Sequence, residues 1–325
     1  MVQTPSHISR ATRLAPSPTG ALHLGNARSF LINWLLARQN GWSIMLRIED
    51  LDGPRVKSSA DRQAIDDLRW LGLDWDHGPI YQSQRLPLYA IAIDRMIAEE
   101  KAYPCVCSRR EAQLAASAPH AEDGSHRYPG TCRGRFASIE SARKASGREP
   151  AIRFRVSDEV IRFTDGFAGA MQFDASDLGD FVIAKGDKTP AYQLAVVVDD
   201  TEMEITDVVR GNDLIESTFR QILLYRALGR EASIPNYVHV PLVLGPDGHR
   251  LAKRHGDSRL SHYRARGVDS GNVLALLARW CGIADVPDRV DAAQLVGRFR
   301  LSQLPHVPIT FTKENEALLL AGNAQ

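Results

Sequence analysis

"TRLAPSPTGALHLGN", residues 12–26, runs from a strand-like start into a turn holding Pro16, Pro18, Gly20, His23 and Gly25, and a helical pattern follows. A strand, a glycine-bearing turn and a helix, in that order, bring backbone N–H groups and the positive end of a helix to one point. Such a point binds anions, phosphates above all. Gly20 and Gly25 allow close backbone approach to a ligand, and His23 can donate to a phosphate oxygen. Taken alone, such a string more often marks a turn with a surface histidine.

Outward from this turn, strand-like and helix-like runs alternate, which predicts an α/β fold with a parallel sheet. Residues 11–15 read as a strand. Residues 25–40 read as a helix with Phe30, Leu31, Trp34 and Leu35 on one stripe and Gly41 as its stop. "SIMLRI" (43–48) is the next strand and ends in Glu49–Asp50. Ser58 or Ser59 is placed to cap a helix over 60–71 that Gly72 ends. Tyr89, Ile93, Met96 and Ile97 mark another helix. "AIRFRV" (151–156) alternates like a half-buried strand. The apolar run "AYQLAVVV" (191–198) reads as a central buried strand, followed by strands "EITDVVRG" (204–211) and "NYVHVPLV" (236–243). Phe219, Ile222, Leu223 and Arg226 set a helix that Gly229 stops, and the tail after 258 is helical by pattern.

A chain of 325 residues can bury a large core and hold two or three units. The formal charge of +1 gives no global basic field for nucleic acid, and no DNA partner is expected. No apolar run is long enough to cross a bilayer, and MVQTPSHISR has no apolar signal segment. The expectation is a cytoplasmic protein without a membrane partner. Four cysteines are too few for a disulfide framework in a chain of this length; in a reducing compartment, clustered cysteines more often bind metal.

A second string changes the reading of the first. "GHRLAKRHG" (248–256) is a glycine-flanked loop carrying Arg250, Lys253 and Arg254. Such a loop can stabilise charge developing on phosphates. Paired with the His23 turn, it suggests a two-sided grip on ATP.

Together, "RLAPSPTGALHLGNAR", "LRIEDLD", "GLDWDHGPIYQSQR", "AYQLAVVVDD", "VVRGNDL" and "RLAKRHG" resemble the catalytic core of glutamyl-tRNA synthetases, in the right order over roughly residues 10–260. The resemblance implies a class I synthetase nucleotide-binding (Rossmann-like) parallel sheet. It implies halves at 1–103 and 191–257, an inserted zinc-bearing subdomain at 104–190 and a helical C-terminal region at 258–325. Two departures stand out. The first signature usually ends in histidine and here ends in Asn26, which still offers a hydrogen-bond donor. The second usually reads Lys-x-Ser-Lys and here reads Arg250-Leu251-Ala252-Lys253, keeping only the second lysine. His23, Gly25, Asn26 and Lys253 are the expected ATP-binding residues, with His23 and Lys253 catalytic and Mg²⁺ accompanying ATP.

Only about 70 residues follow the second motif, too few for a large anticodon-reading domain. The chain thus resembles the short paralogues that activate L-glutamate with ATP and transfer it to queuosine in the anticodon loop of tRNA(Asp). The alternatives are a glutamyl-tRNA synthetase core that charges a tRNA 3′ end and a non-catalytic RNA-binding module. Asn26 and Ala252 are the support for the latter.

The resemblance also implies a zinc site of Cys105, Cys107, Cys132 and Tyr128. Zinc takes four ligands in a tetrahedron and favours thiolates; His120 or His126 could replace Tyr128, because imidazole is the commoner ligand. Cys281, among Leu274, Leu277 and Trp280, reads as core packing. Free glutamate needs an arginine for each exposed carboxylate and an acid for its amine. Family matching supplies Arg13, Leu14, Ala15, Pro16 and Ser17 at the first turn, then Glu49, Tyr192 and Arg210. Asp50, Asp52, Gln193 and Asp213 rank second. On residues alone, Glu49 could instead pair with Arg47, and Arg210 with Asp207 or Asp213. Strand C-terminal ends are where open α/β sheets bind ligands, in keeping with Arg13, Glu49 and Arg210.

Overall fold

The computed structural model describes residues 10–53, 59–108, 110–112, 127–249, 251 and 257–321. Strands β1 (Ala11–Leu14), β2 (Ser43–Ile48) and β3 (His77–Tyr81) form a parallel ladder in the order β1-β2-β3. Helix α1 (Leu24–Asn40) joins the first two and packs Leu24, Ala27, Leu31 and Leu35 against the sheet core. It stops at Gly41, whose φ of 65° lies in the left-handed region and whose N–H returns to the Ala37 carbonyl. Helices α2 (Ala60–Trp70) and α3 (Leu86–Ala98) follow. Ser59 precedes α2 without a side-chain capping bond, and Ser58 lies outside the described residues.

The middle of the chain is antiparallel. Strands β4 (Ala102–Cys105), β5 (Ala151–Phe154) and β8 (Phe181–Ala184) form one sheet, and β6 (Val160–Asp165) and β7 (Gly169–Asp174) form a hairpin. Helices α4 (Ile139–Ser146) and α5 (Ala175–Leu178) lie between them in sequence. This region shares a core with later helices: Tyr89, Met96, Phe154 and Ile161 pack with Leu194, Phe219 and Leu224.

Residues 191–198 correct the sequence reading. They begin helix α6 (Tyr192–Glu202), not a central strand. The helix is buried continuously from Leu194 to Asp200. It therefore lacks the polar stripe that would have given it a helical period, and a short apolar run cannot be assigned by periodicity alone. Parallel strands β9 (Asp207–Gly211) and β10 (Asn236–Val240) flank α7 (Ile215–Ala227). Thr206 N–H donates to the Ala11 carbonyl at 2.9 Å, setting β9 beside β1. The strand order across this junction is β3-β2-β1-β9-β10, with its reversal between β1 and β9. The run 236–243 breaks at Pro241, which has no N–H for a ladder. Beyond it, β11 (Val243–Leu244) pairs with β12 (Ile309–Thr310).

Helices α8 (Leu260–Ala265), α9 (Ser270–Trp280), α10 (Ala292–Val296) and α11 (Lys313–Ala321) complete the chain. Their Leu260, Tyr263, Val273, Leu277 and Leu295 join the same core as Leu31, Leu35 and Ile44, and Cys281 is buried there as expected. Among the described residues, no helix is long and apolar enough to cross a membrane.

Candidate active site

A cavity of about 540 Å³ opens at the carboxyl ends of β1, β2 and β9, where the strand order reverses. This is where an open α/β sheet places its ligand. Arg13, Ala15, Pro16, Ser17, His23, Gly25, Asn26, Glu49, Tyr192 and Arg210 all line it, as does Asp213. Leu14 does not: its side chain is fully buried in the core. Tyr192 reaches the cavity from the first turn of α6 rather than from a strand.

His23 is the N-cap of α1. Its Nδ1 accepts from the N–H groups of Gly25 (3.2 Å) and Asn26 (3.4 Å), while Asn26 Oδ1 accepts from His23 N–H (3.4 Å). An imidazole nitrogen that accepts two N–H groups carries no proton, so in the neutral ring the proton sits on Nε2. Asn26 thus closes a capping box with its oxygen, and its amide NH₂ remains a donor.

Arg13 and Glu49 are set by a buried ionic network of which the sequence reading named one link, the pairing of Glu49 with Arg47, and that link is present. Arg47, fully buried, donates from Nη1 to Asp200 (2.6 Å) and from Nη2 to Glu49 (3.1 Å). Arg13 Nε lies 3.6 Å from the same Asp200 oxygen. Asp199 accepts from Gln82, Arg85 and Tyr89. Burial pushes the Glu49 carboxyl above its ordinary range, against the pull of Arg47 and Arg13. The signal available in the sequence was the acid pair Asp199–Asp200 closing a long apolar run.

Arg210 is held differently. Its Nε donates to His239 Nε2 (3.0 Å), and Nη2 donates to Thr218 Oγ1 (2.7 Å) and Gln221 Oε1 (2.9 Å). Asp207 pairs with Arg10 instead. No ion pair of Arg210 with a carboxylate occurs among the described residues, and its buried Nη1 has no hydrogen-bond partner there. Gln193 enters the same shell, accepting from Gln221 Nε2 at 3.0 Å. Asp50 and Asp52 are turned to other partners, Ser83 and Lys185.

Lys253 and Ala252 lie outside the described residues. The chain on either side is anchored at the cavity wall. Leu251 N–H donates to Val243, and Leu24 and Leu260 N–H groups bond to Ser258 and Leu22 carbonyls. Leu22 and Val243 both line the cavity.

A second cluster lies at the end of β4. The Sγ atoms of Cys105, Cys107 and Cys132 all fall within 4.8 Å of one another. Tyr128 Oη is 3.4 Å from both Cys105 Sγ and Cys107 Sγ, and the Cys107 and Cys132 sulfurs are 3.5 Å apart. A tetrahedron built on a Zn–S bond of about 2.3 Å has edges of roughly 3.8 Å, so these four donors fit zinc. Arg153 stacks its guanidinium 3.7 Å from the Tyr128 ring centre and donates to Cys105 Sγ at 3.3 Å, which favours anionic ligands. His120 and His126 lie outside the described residues.

Residues 10–311 match the family of class I tRNA synthetases (E and Q), catalytic domain. The chain is 48% identical to a glutamyl-Q tRNA(Asp) synthetase of Symbiobacterium thermophilum, over 96% of this chain and 99% of that protein. It is 48% identical to the corresponding protein of Rhodopirellula baltica, over 86% of this chain and 87% of that one. A crystal structure of a glutamate tRNA ligase from Elizabethkingia meningosepticum, in complex with its amino acid, superposes with a TM-score of 0.80 at 28% identity, covering 94% of this chain and 68% of that one. The chain belongs to the class I tRNA synthetases of the E and Q family, and within it to the glutamyl-Q tRNA(Asp) synthetases.

Proposed function

We propose that this chain activates L-glutamate with ATP and transfers the glutamyl group to queuosine in the anticodon loop of tRNA(Asp). The observation that carries the reading is Arg210. It is a buried guanidinium without a carboxylate partner among the described residues, on the wall of a cavity that Arg13 and Glu49 also line. A dicarboxylate with one ammonium answers that inventory: two cations for its carboxylates and one acid for its amine.

In this reading an oxygen of the glutamate α-carboxylate attacks the α-phosphorus of ATP. The bond from that phosphorus to the pyrophosphate oxygen breaks, leaving glutamyl-adenylate. The protein supplies no nucleophile; it positions the reactants and stabilises charge. His23 donates from Nε2 to a phosphate, Asn26 donates from its amide, and the α1 N-terminus adds its positive end. The resemblance gives Lys253 the developing charge on pyrophosphate, with Mg²⁺ carried in on ATP. A queuosine hydroxyl then attacks the adenylate's carbonyl carbon and AMP leaves. The 48% identity to glutamyl-Q tRNA(Asp) synthetases, against 28% to the glutamate tRNA ligase of known structure, favours queuosine over a tRNA 3′ end as acceptor. Cys105, Cys107, Cys132 and Tyr128 would hold one structural zinc in the 104–190 region.

The test is transfer of labelled glutamate to tRNA(Asp) with and without queuosine. Label is expected only in the queuosine-bearing tRNA and only in its anticodon loop. Label at the 3′ end would establish the ligase alternative, and absence of glutamate-dependent pyrophosphate exchange would establish a non-catalytic module.

A further inference from the structure

Two polar groups outside the reacting set converge on Arg210. His239 on β10 and Asp165 at the end of β6 are both buried. His239 Nδ1 lies 2.6 Å from Asp165 Oδ2, and His239 N–H also donates to that carboxylate at 3.2 Å. On the other side of the ring, Nε2 receives the Arg210 Nε–H at 3.0 Å. A guanidinium can only donate and an ionised carboxylate can only accept. The imidazole between them is therefore neutral, with its proton on Nδ1.

The electrostatics agree. Burial lowers the His239 pKa below its ordinary value; Asp165 opposes this, while the nearby Arg210 and Arg13 reinforce it. Burial disfavours an Asp165 anion, but hydrogen bonds from His239 and from the backbone N–H groups of Ala168, Phe167 and His239 hold its carboxyl below the usual range. The carboxylate is delivered by the antiparallel hairpin, whose turn is locked on β10. Gly166 N–H donates to the Tyr237 carbonyl at 2.8 Å, and a Cβ on Gly166 would meet Val238 Cγ2 at 2.9 Å. Phe167 stacks on His306, ring centres 4.5 Å apart.

We propose that Asp165 and His239 are positioning residues for Arg210: the hairpin's carboxylate fixes the imidazole tautomer, and the imidazole pins Arg210 Nε so that Nη1 is left for a substrate carboxylate. The charge on Asp165 is thereby held one ring away from Arg210, so Arg210 is oriented without being neutralised by a direct ion pair. This ties the β6–β7 hairpin to amino-acid selection, and it rests on the reading of the cavity as a glutamate site.

The experiment combines pyrophosphate-exchange kinetics with ¹⁵N-histidine NMR of the unaltered protein. His239→Leu removes the acceptor and is expected to raise the glutamate KM by roughly tenfold or more, with kcat and the ATP KM nearly unchanged. His239→Gln offers a neutral oxygen near the same place and is expected to recover most of the loss. Adding Asp165→Asn to His239→Leu is expected to cost little more, because both act through one hydrogen bond. The NMR signal missing in His239→Gln is expected to show a protonated Nδ1 and an unprotonated Nε2. The inference is overturned by a glutamate KM unchanged in His239→Leu, by equal rises in both KM values, by a glutamine variant as poor as the leucine one, or by an Nε2–H tautomer. If the unaltered protein shows no glutamate-dependent exchange, the functional reading falls, and the tautomer still decides whether the pair holds Arg210.

Discussion

Glu49 faces opposite demands. Its carboxyl is nearly buried, which raises its pKa, yet an ammonium bound beside it requires the anion. The sign follows from the direction of the shift. A carboxyl whose folded pKa lies above its unfolded value takes up its proton at a higher pH than usual, and the ligand binds only the ionised form. The glutamate KM should therefore rise on the acid side, beginning at a higher pH than an ordinary carboxyl would impose, while the ATP KM stays level. Glu49→Gln should remove that acid limb and raise the KM at neutral pH by roughly 10–100-fold, the scale of one charged hydrogen bond. Exchange kinetics as a function of pH check it; an acid limb that persists in Glu49→Gln would remove Glu49 from the role. The same logic applies to Arg210→Gln, which should raise the glutamate KM by roughly 10–100-fold and barely move that of ATP. His23 could be picked out from the residues themselves, in a glycine-bearing turn between a strand and a helix, whereas Arg13, Glu49 and Arg210 came from the resemblance to the family, with which their places at strand ends agree. Of their supports, only Arg47 was readable, as a neighbour for Glu49. Its other partner, Asp200, lies 153 positions away inside an apolar helix and announces no polar partner.

Between elements, Asp180 plays the joining part in the antiparallel region. It precedes β8 and is almost fully buried, accepting from Tyr103 Oη on β4, from Arg133 Nε (2.9 Å) and from Val156 N–H (2.8 Å). Burial opposes its charge, but the bonds from Arg133 and Tyr103 hold the carboxyl below the usual range. A depressed folded pKa contributes stability above the unfolded value, and that contribution is lost as pH falls through the folded one. Asp180→Asn should therefore cost about 1–3 kcal/mol at neutral pH and less in acid. Because Arg133 follows Cys132, the variant should also surrender faster to a chelator the zinc proposed for the cysteine cluster. Urea midpoints at neutral and acid pH, with chelator-release rates, test both; an unchanged neutral midpoint would remove Asp180 as the tie. At this scale the sequence was readable where caps and stops were explicit, as at Gly41. It misled at 191–198, where burial on every side of α6 erased the period.

Across the whole molecule, the C-terminal helices and the first helix are joined by a cation with no carboxylate partner among the described residues, beside the Cys281 thiol. Arg28 on α1 is 1% exposed. Its Nη1 donates to the Pro241 carbonyl at 2.6 Å, and its Nε and Nη2 donate to the Trp280 carbonyl at 3.3 and 3.1 Å. Trp280 ends α9, so its carbonyl belongs to the negative end of a helix. Pro241 stands between β10 and β11, just before Leu242 and Val243 of the cavity wall. One guanidinium thus bonds the second half of the sheet and the C-terminal helices to the helix that starts at His23. Replacing it with methionine keeps the length and removes the cost of burying a charge, but it orphans two buried carbonyls and leaves the α9 terminus uncompensated. The second effect should win, by about 3 kcal/mol. The core argues for cooperativity as well: Val273, Leu274 and Leu277 of α9 sit in one cluster with Leu31 and Leu35 of α1. Hydrogen exchange should therefore show α9 and α1 amides opening with the same free energy in the unaltered protein, and α9 opening first in Arg28→Met. If α9 already opens on its own in the unaltered protein, Arg28 is a local cap, and the C-terminal helices are an appendage rather than part of the catalytic core.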